Sequence, residues 1–137
     1  MYTVYTVYMD GITWLEKPSA PSEYAVAEVI KKLYHARKSK EVEEIIKLYT
    51  LNAEIKTHNL VYLDVEKYKS YLLHNIEKLR FTRFDNVFIR ILDKDRASVT
   101  SIVTYRYTHK TWGPALYIFD LVNERGEWKI SKTEWLL

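Results

Sequence analysis

The sequence predicts an α+β fold in which three helices come first and an antiparallel sheet comes last. Two patterns carry this prediction. Between residues 22 and 79 apolar residues recur every three to four positions, as they do along the buried face of a helix. After Arg80 the period changes to two, in four strand-like runs that are separated by short turns (86–92, 97–109, 115–123 and 128–136). Short connections between consecutive strands make an antiparallel meander.

The first two helices are predicted from their apolar stripes. The first begins after Ser22 as its cap and places Arg37 outside the stripe, which consists of Val26, Val29, Ile30, Leu33 and Tyr34. Ser39 is expected to cap the second helix, whose first turns are rich in glutamate, as the helix dipole favours. That helix is expected to end near Asn52.

A short strand over residues 53–58 follows, and Asp64 is expected to cap the third helix. Before the first helix, an alternating Tyr, Thr and Val run, a turn at Gly11 and two prolines suggest a hairpin and a linker. We therefore divide the chain into an N-terminal extension, residues 1–21, and one α+β domain, residues 22–137.

Composition excludes several classes of function. The formal net charge of +3, from 21 basic and 18 acidic residues, is too small and too dispersed for a nucleic-acid surface. No apolar run is long enough to span a membrane and no secretory signal pattern is present, so we expect a cytoplasmic protein.

Cysteine is absent, and a bias toward Lys, Glu, Ile and Tyr fits a thermophilic source. His35, His74 and His109 lack metal-site spacing, so we expect neither metal nor cofactor.

Two segments carry a family resemblance. Residues 42–55, VEEIIKLYTLNAEI, resemble the helix-to-strand junction of the nuclear transport factor 2-like superfamily, which includes the SnoaL-like and ketosteroid isomerase-like proteins. Residues 123–130, NERGEWKI, resemble its final hairpin. The resemblance implies a cone-shaped, cystatin-like roll, with three helices on a strongly curved, mostly antiparallel sheet, often dimeric through the outer sheet face. It does not imply the isomerase reaction, because Thr57 and Leu33 stand where that enzyme has its Asp base and its Tyr.

Long strands must twist and curl, and the concave side is expected to form a chamber that the helices only partly fill. Asp120 is the only acid in the apolar run 115–122, and such a carboxyl must be paired, hydrogen-bonded or neutral. We expect Asp120 and His58 to be catalytic residues, His58 as a base near neutral pH. The alternative for Asp120 is an outer-face ion pair, for example with Arg106. The residues expected to contact ligand are aromatic: Tyr34, Tyr49, Tyr105, Tyr107, Trp112 and Trp135.

Two functional hypotheses follow. In the first, a homodimer binds a small, largely apolar molecule, and if it is an enzyme it catalyses cofactor-free proton transfer of the isomerase, dehydratase or cyclase type. In the second, the protein is a non-enzymatic association module with a filled chamber. Its outer sheet face and N-terminal hairpin then bind a partner, with Tyr2, Tyr5, Tyr8 and Trp14 exposed. Residues 112–114, Trp-Gly-Pro, are expected to form a loop at the chamber rim.

Overall fold

The structure is a computed structural model, and it describes residues 7–9, 11–57 and 60–136. Within these residues the helices are α1 (Pro21–Lys38), α2 (Val42–Ile46) and α3 (Val65–Asn75), the last followed by a 3-10 turn, Ile76–Lys78. The strands are β1 (Val7–Met9), β2 (Ile12–Trp14), β3 (Tyr49–Lys56), β4 (Tyr62–Leu63), β5 (Leu79–Asp93), β6 (Arg96–Tyr107), β7 (Thr111–Glu124) and β8 (Glu127–Leu136).

The described strands form one sheet in the order β1-β2-β5-β6-β7-β8-β3-β4. Strands β5 to β8 pair as consecutive antiparallel neighbours, so the predicted meander and the α+β fold class are confirmed. The other ladders are mixed, because β2 joins β5 and β3 joins β8 in parallel. Each parallel pair brings an early segment of the chain to the side of the late sheet.

The core lies between the helices and one face of this sheet. Odd-numbered positions of β6 and β7 point inward, and Val99, Val103 and Phe119 are fully buried. The helix α1 meets this face with Ile30 and Leu33, which are equally inaccessible. Burying each such side chain stabilises the fold by roughly 1.5–3 kcal/mol.

The N-terminal hairpin is part of this core. Its turn lies at Gly11, whose φ of +79° suits glycine, and β2 continues into the sheet where the Leu15 N–H donates to the Val87 carbonyl at 2.9 Å. Ile12 and Trp14 are fully buried, so the prediction that Trp14 is exposed is wrong. The two residues are two positions apart on β2, so both side chains point to the same face of the strand and into the core. The side chains of the predicted patch at positions 2, 5 and 8 lie outside the described residues.

Three predicted helix boundaries are wrong. α1 begins at Pro21, which fits a first-turn position because its missing N–H would have no helical partner, and Ser39 caps the end of α1 instead of the start of α2. α2 ends at Ile46, and β3 begins at Tyr49. The parallel pairing of β3 with β8 overrides helical continuation, since the Ile130 N–H donates to the Leu48 carbonyl at 2.8 Å. The predicted cap at Asp64 is confirmed.

Residues 112–114 do not form the predicted rim loop. They lie inside β7, and the turn before them spans residues 108–110. The register between β6 and β7 shifts between Val103 and Tyr105, which makes room for the bend at Gly113. Gly113 has a φ of +91°, and an added Cβ would lie 2.4 Å from the Val103 carbonyl oxygen. Only glycine fits that position without displacing backbone.

Candidate functional site

A recess lies between α1, α3 and the inner face of β3, β6, β7 and β8. Its lining is dominated by tyrosine and comprises Arg37, Ile55, Lys56, Thr57, Tyr68, Tyr71, Leu72, Tyr105, Tyr107, Tyr117 and Thr133. We call this recess the chamber. The space for the centres of water-sized molecules is about 30 Å³, and the recess with its open mouth measures about 390 Å³. The closed interior therefore has room for one or two water molecules.

The periodicities of two elements place the tyrosines. On α3, Tyr68, Tyr71 and Leu72 fall three and four positions apart, so they share one face of the helix. On β6, Tyr105 and Tyr107 are two positions apart and share one face of the strand. Tyr117 reaches the same space from β7, with its ring centroid 5.9 Å from that of Tyr105 in an edge-on arrangement. Tyrosines of the helix layer and of the sheet layer therefore line the same chamber.

Arg37 is the charged group of the chamber interior. It lies in the last turn of α1 and is 7% exposed. Its Nη2 donates to the Tyr68 hydroxyl at 2.6 Å, and its guanidinium carbon lies 4.8 Å from the centroid of the Tyr105 ring. Its Nε has no hydrogen-bond partner. No described acidic side chain pairs with Arg37, although buried arginine in proteins is almost always paired.

The prediction that Arg37 lies outside the apolar stripe of α1 is wrong. Arg37 follows Leu33 by four positions and Tyr34 by three, so it continues the buried face by one more turn. The same spacing could have identified it in the sequence. The charge lies where the helix dipole is negative, which is a favourable place for a cation.

The chamber tyrosines are neutral phenols at neutral pH. Burial raises the pKa of Tyr68 and of Tyr105 well above the usual range, with the Arg37 charge opposing it. Burial likewise raises the pKa of Tyr71 to about 12. Protonated phenols can donate as well as accept, so the chamber offers hydroxyl donors without any negative charge of its own.

A second cation stands at the chamber wall. The Lys56 ammonium donates to the Trp135 carbonyl at 3.2 Å and lies 4.9 Å from the centroid of the Trp135 ring. The Trp135 indole N–H donates to the Thr57 carbonyl at 3.1 Å. Trp135 thus fixes the wall on which Lys56 and Thr57 stand. The described lining residues include two cations and no carboxylate.

Four of the six aromatic residues predicted to contact ligand lie in or beside the chamber. Tyr105 and Tyr107 line it, Trp135 supports its wall, and the Tyr49 ring lies 5.6 Å from the ring of Tyr68. The other two lie elsewhere. Tyr34 packs on Phe84 beneath the N-terminal hairpin, at 5.6 Å between centroids. Trp112 is half-buried on β7 under the Lys110 ammonium.

Asp120 lies on the face of β7 that points away from the chamber. Its neighbours in sequence, Phe119 and Leu121, are buried in the core, and the strand alternates, so the Asp120 carboxyl points to the outer side. Partial burial raises the pKa of Asp120, the Glu134 carboxylate adds to this, and Lys132 opposes it. The cation next to Asp120 on the outer face is Lys132, whose ammonium is paired with Glu134 at 3.4 Å, and Arg106 lies farther along the sheet, opposite Thr111. The structure does not bring Asp120 to the chamber tyrosines.

His58 lies outside the described residues, directly after Thr57, which lines the chamber. No group of three or more His, Cys, Asp or Glu side chains that could hold a metal ion occurs in the described part of the chain. Sequence reasoning missed Arg37, Tyr68, Tyr71, Tyr117 and Thr133 as lining residues. The spacing of these residues along the sequence could have identified them, since each lies on the inward-facing side of its helix or strand.

Comparisons with solved structures identify the fold. A candidate scytalone dehydratase from Novosphingobium aromaticivorans matches with a TM-score of 0.70 and 21% identity, over 83% of this chain and 82% of that one. A candidate ketosteroid isomerase from Shewanella frigidimarina matches at 0.65 and 16%, over 82% and 94%. A candidate calcium/calmodulin-dependent kinase II association domain from Exiguobacterium sibiricum matches at 0.72 and 11%, over 88% and 95%.

This chain therefore has the nuclear transport factor 2-like fold, as the resemblance in its sequence implied. No family model and no curated protein matches it. Among the described residues, no helix has the length and apolar character needed to cross a membrane.

Proposed function

We propose that this protein binds a small, largely apolar molecule in the tyrosine chamber. The observation that carries the proposal is the lining itself, in which Tyr68, Tyr71, Tyr105, Tyr107 and Tyr117 surround one recess on the concave side of the sheet. Tyrosine rings supply apolar contact area, and their hydroxyls orient a ligand at low cost in conformational entropy. Concave apolar recesses with a few convergent polar groups are the usual small-molecule sites of proteins.

Ligand entry requires the chamber to widen. The space for the centres of water-sized molecules is about 30 Å³, whereas small-molecule pockets usually measure roughly 300–1,000 Å³, so the chamber admits a ligand only when side chains of its lining move. Tyr71 and Tyr107 are the half-buried tyrosines of the lining, so they stand nearest the solvent. Rotation of these two side chains opens the chamber without moving the sheet.

We propose His58, the base predicted from the sequence, as the residue for any proton transfer of the isomerase, dehydratase or cyclase type. The described lining residues include no carboxylate and no imidazole, and Asp120 points to the other face of the sheet. His58 follows Thr57 in the chain, and imidazole is the commonest general base in enzymes. The similarity to a candidate dehydratase and a candidate isomerase supports chemistry of the dehydratase or isomerase type as a class, and it supplies no substrate.

Blocking the chamber tests the binding proposal. Leu72→Trp places an indole at a buried lining position, and Leu73→Trp adds the same indole at the next residue, where Leu73 is 58% exposed. We expect small aromatic and alicyclic compounds to shift the NMR signals of chamber residues in the wild-type protein and in Leu73→Trp, but not in Leu72→Trp. A panel that moves no chamber signal in the wild-type protein would refute the proposal.

The outer sheet face favours a second candidate, in which the protein assembles as a homodimer through that face. Ile102, Leu116, Ile118 and Val122 are apolar and only half-buried there. Ile118→Lys is expected to give a monomer in light scattering after size exclusion. Leu51→Lys, at a residue that is 97% exposed on β3, is expected to leave a dimer intact. A monomeric wild-type protein would remove this candidate and leave the chamber proposal standing.

A further inference from the structure

The chamber holds a buried positive charge without a matching negative one. An isolated buried guanidinium is costly, by several kcal/mol per ion after relaxation, unless it is paired and hydrogen-bonded. Arg37 carries five N–H donors in a fixed fork, and in the described structure its Nη2 donates to the Tyr68 hydroxyl. The Tyr105 ring covers one side of the guanidinium. These contacts offset part of the cost and leave Nε unsatisfied.

Two further polar atoms near Arg37 have no hydrogen-bond partner in the described structure. They are the Tyr49 hydroxyl and the Thr133 hydroxyl, in residues that are 3% and 1% exposed. Thr133 lines the chamber, and Tyr49 stands beside it against Tyr68. Most buried polar groups in native proteins have a partner, so three unsatisfied groups in one place call for an explanation. A bound ligand with several acceptor lone pairs provides one.

The charge of that ligand follows from the lining. Arg37 and Lys56 are cationic, the tyrosines are neutral, and no described lining residue is acidic. Lys56 is already engaged with Trp135 at the wall, which leaves one guanidinium to balance one negative charge in the interior. A carboxylate carries one charge and accepts the parallel N–H donors of arginine. The tyrosine rings around it fit an aromatic or alicyclic body.

We propose that Arg37 binds the carboxylate of a small aromatic or alicyclic monocarboxylic acid, with the hydroxyls of Tyr68 and Thr133 completing its hydrogen bonds. This inference rests on the proposed binding function and names its ligand class. The carboxylate replaces the missing counter-ion of Arg37, and the ring of the acid occupies the space beside Tyr71 and Tyr107 once these side chains swing outward.

The test compares phenylacetate with phenylacetamide, which has the same shape and no charge. Dissociation constants come from NMR titration of the Ile55 and Leu72 methyl signals, which report on the lining. We expect phenylacetate to bind at least about tenfold more tightly than the amide to the wild-type protein, as a charge-assisted bond to a buried arginine requires. This comparison needs no variant, so it does not depend on the folding of one.

Arg37→Met keeps much of the side-chain length and removes the charge. It is expected to bring the two affinities to within about twofold of each other. Lys38→Met removes the same charge from the next residue of α1, which is exposed, and is expected to preserve the preference for the acid. Loss of the preference in both variants would point to overall net charge and overturn the role of Arg37.

The remaining outcomes separate the two proposals. Equal binding of phenylacetate and phenylacetamide in the chamber would overturn the carboxylate assignment and leave the small-molecule function intact. Tighter binding of phenyl phosphate than of phenylacetate would show that the chamber prefers a dianion, and it would overturn the assignment of a monocarboxylate. If none of the three compounds moves the Ile55 and Leu72 methyl signals, both proposals fall together.

Discussion

Replacing Thr133 by valine is expected to stabilise the protein. The Thr133 side chain is 1% exposed, and its hydroxyl has no hydrogen-bond partner in the described structure. An unsatisfied buried hydroxyl costs about 1–3 kcal/mol relative to water, and valine keeps the shape of threonine while replacing the hydroxyl by a methyl group. We therefore expect the free energy of unfolding to rise by about 1 kcal/mol, at the lower end of that range because the chamber can admit water.

Replacing Thr57 by valine is expected to lower the free energy of unfolding, in contrast to Thr133→Val. Thr57 also lines the chamber and is 8% exposed, but its hydroxyl donates to the Val61 carbonyl at 3.0 Å. Valine at this position removes one net hydrogen bond, which is worth about 1 kcal/mol. The two variants lose the same chemical group from the same chamber, so the difference between them isolates the hydrogen bond.

Urea unfolding followed by tryptophan fluorescence measures both variants. The slope of the free energy against urea should match the wild-type slope, so that midpoints translate directly into stability. Thr133→Val should unfold at a higher urea concentration than the wild-type protein, and Thr57→Val at a lower one. A Thr133→Val protein as destabilised as Thr57→Val would show that the Thr133 hydroxyl is hydrogen-bonded in the free protein, and the case for its role as a ligand contact would fail.

Four further substitutions test other parts of the structure. Gly113→Ala should cost more than about 1 kcal/mol in thermal denaturation, because φ is +91° and Cβ would lie 2.4 Å from the Val103 carbonyl oxygen. Gly126→Ala, also at positive φ but with no atom within 4 Å, should cost less. Asp64→Ala removes the acceptor that caps α3 and should cost about 1 kcal/mol in urea, whereas an unchanged midpoint would contradict the cap. Partial burial, and then a neighbouring carboxylate, raises the pKa of Asp120, so the folded state holds this proton more tightly than the unfolded state and stability falls as pH rises through that pKa. Asp120→Asn should therefore be more stable than the wild-type protein at neutral pH and equal to it below about pH 3, and it should bind ligand unchanged.

Much of the fold could be predicted because its signals are local. The change of apolar period after Arg80 and the turns between the four runs specify the meander without reference to any distant residue. The Asp64 cap is also local, since its carboxylate accepts from the Lys67 N–H at 2.8 Å. The end of α2 was mispredicted because the pairing of Tyr49 with Ile130 spans the chain and is invisible in a local window.

The site was harder to predict because it depends on which face each side chain takes. Asp120 is conspicuous in the sequence as an acid among apolar residues. It lies one residue out of phase with the inward-facing positions of β7, so its side chain points away from the chamber. The sequence pattern puts Arg37 outside the apolar stripe of α1, although its spacing from Leu33 continues the buried stripe. Composition identifies unusual residues, and only the periodicity of the element tells which of them face inward.

The most direct measurement is the ¹⁵N NMR signal of the Arg37 Nε–H group, the donor that has no partner in the described structure. Phenylacetate is expected to shift this signal to lower field as the carboxylate accepts its hydrogen bond, and phenylacetamide is expected to shift it far less. If phenylacetate moves the chamber methyl signals and leaves Arg37 Nε–H in place, Arg37 does not hold the ligand.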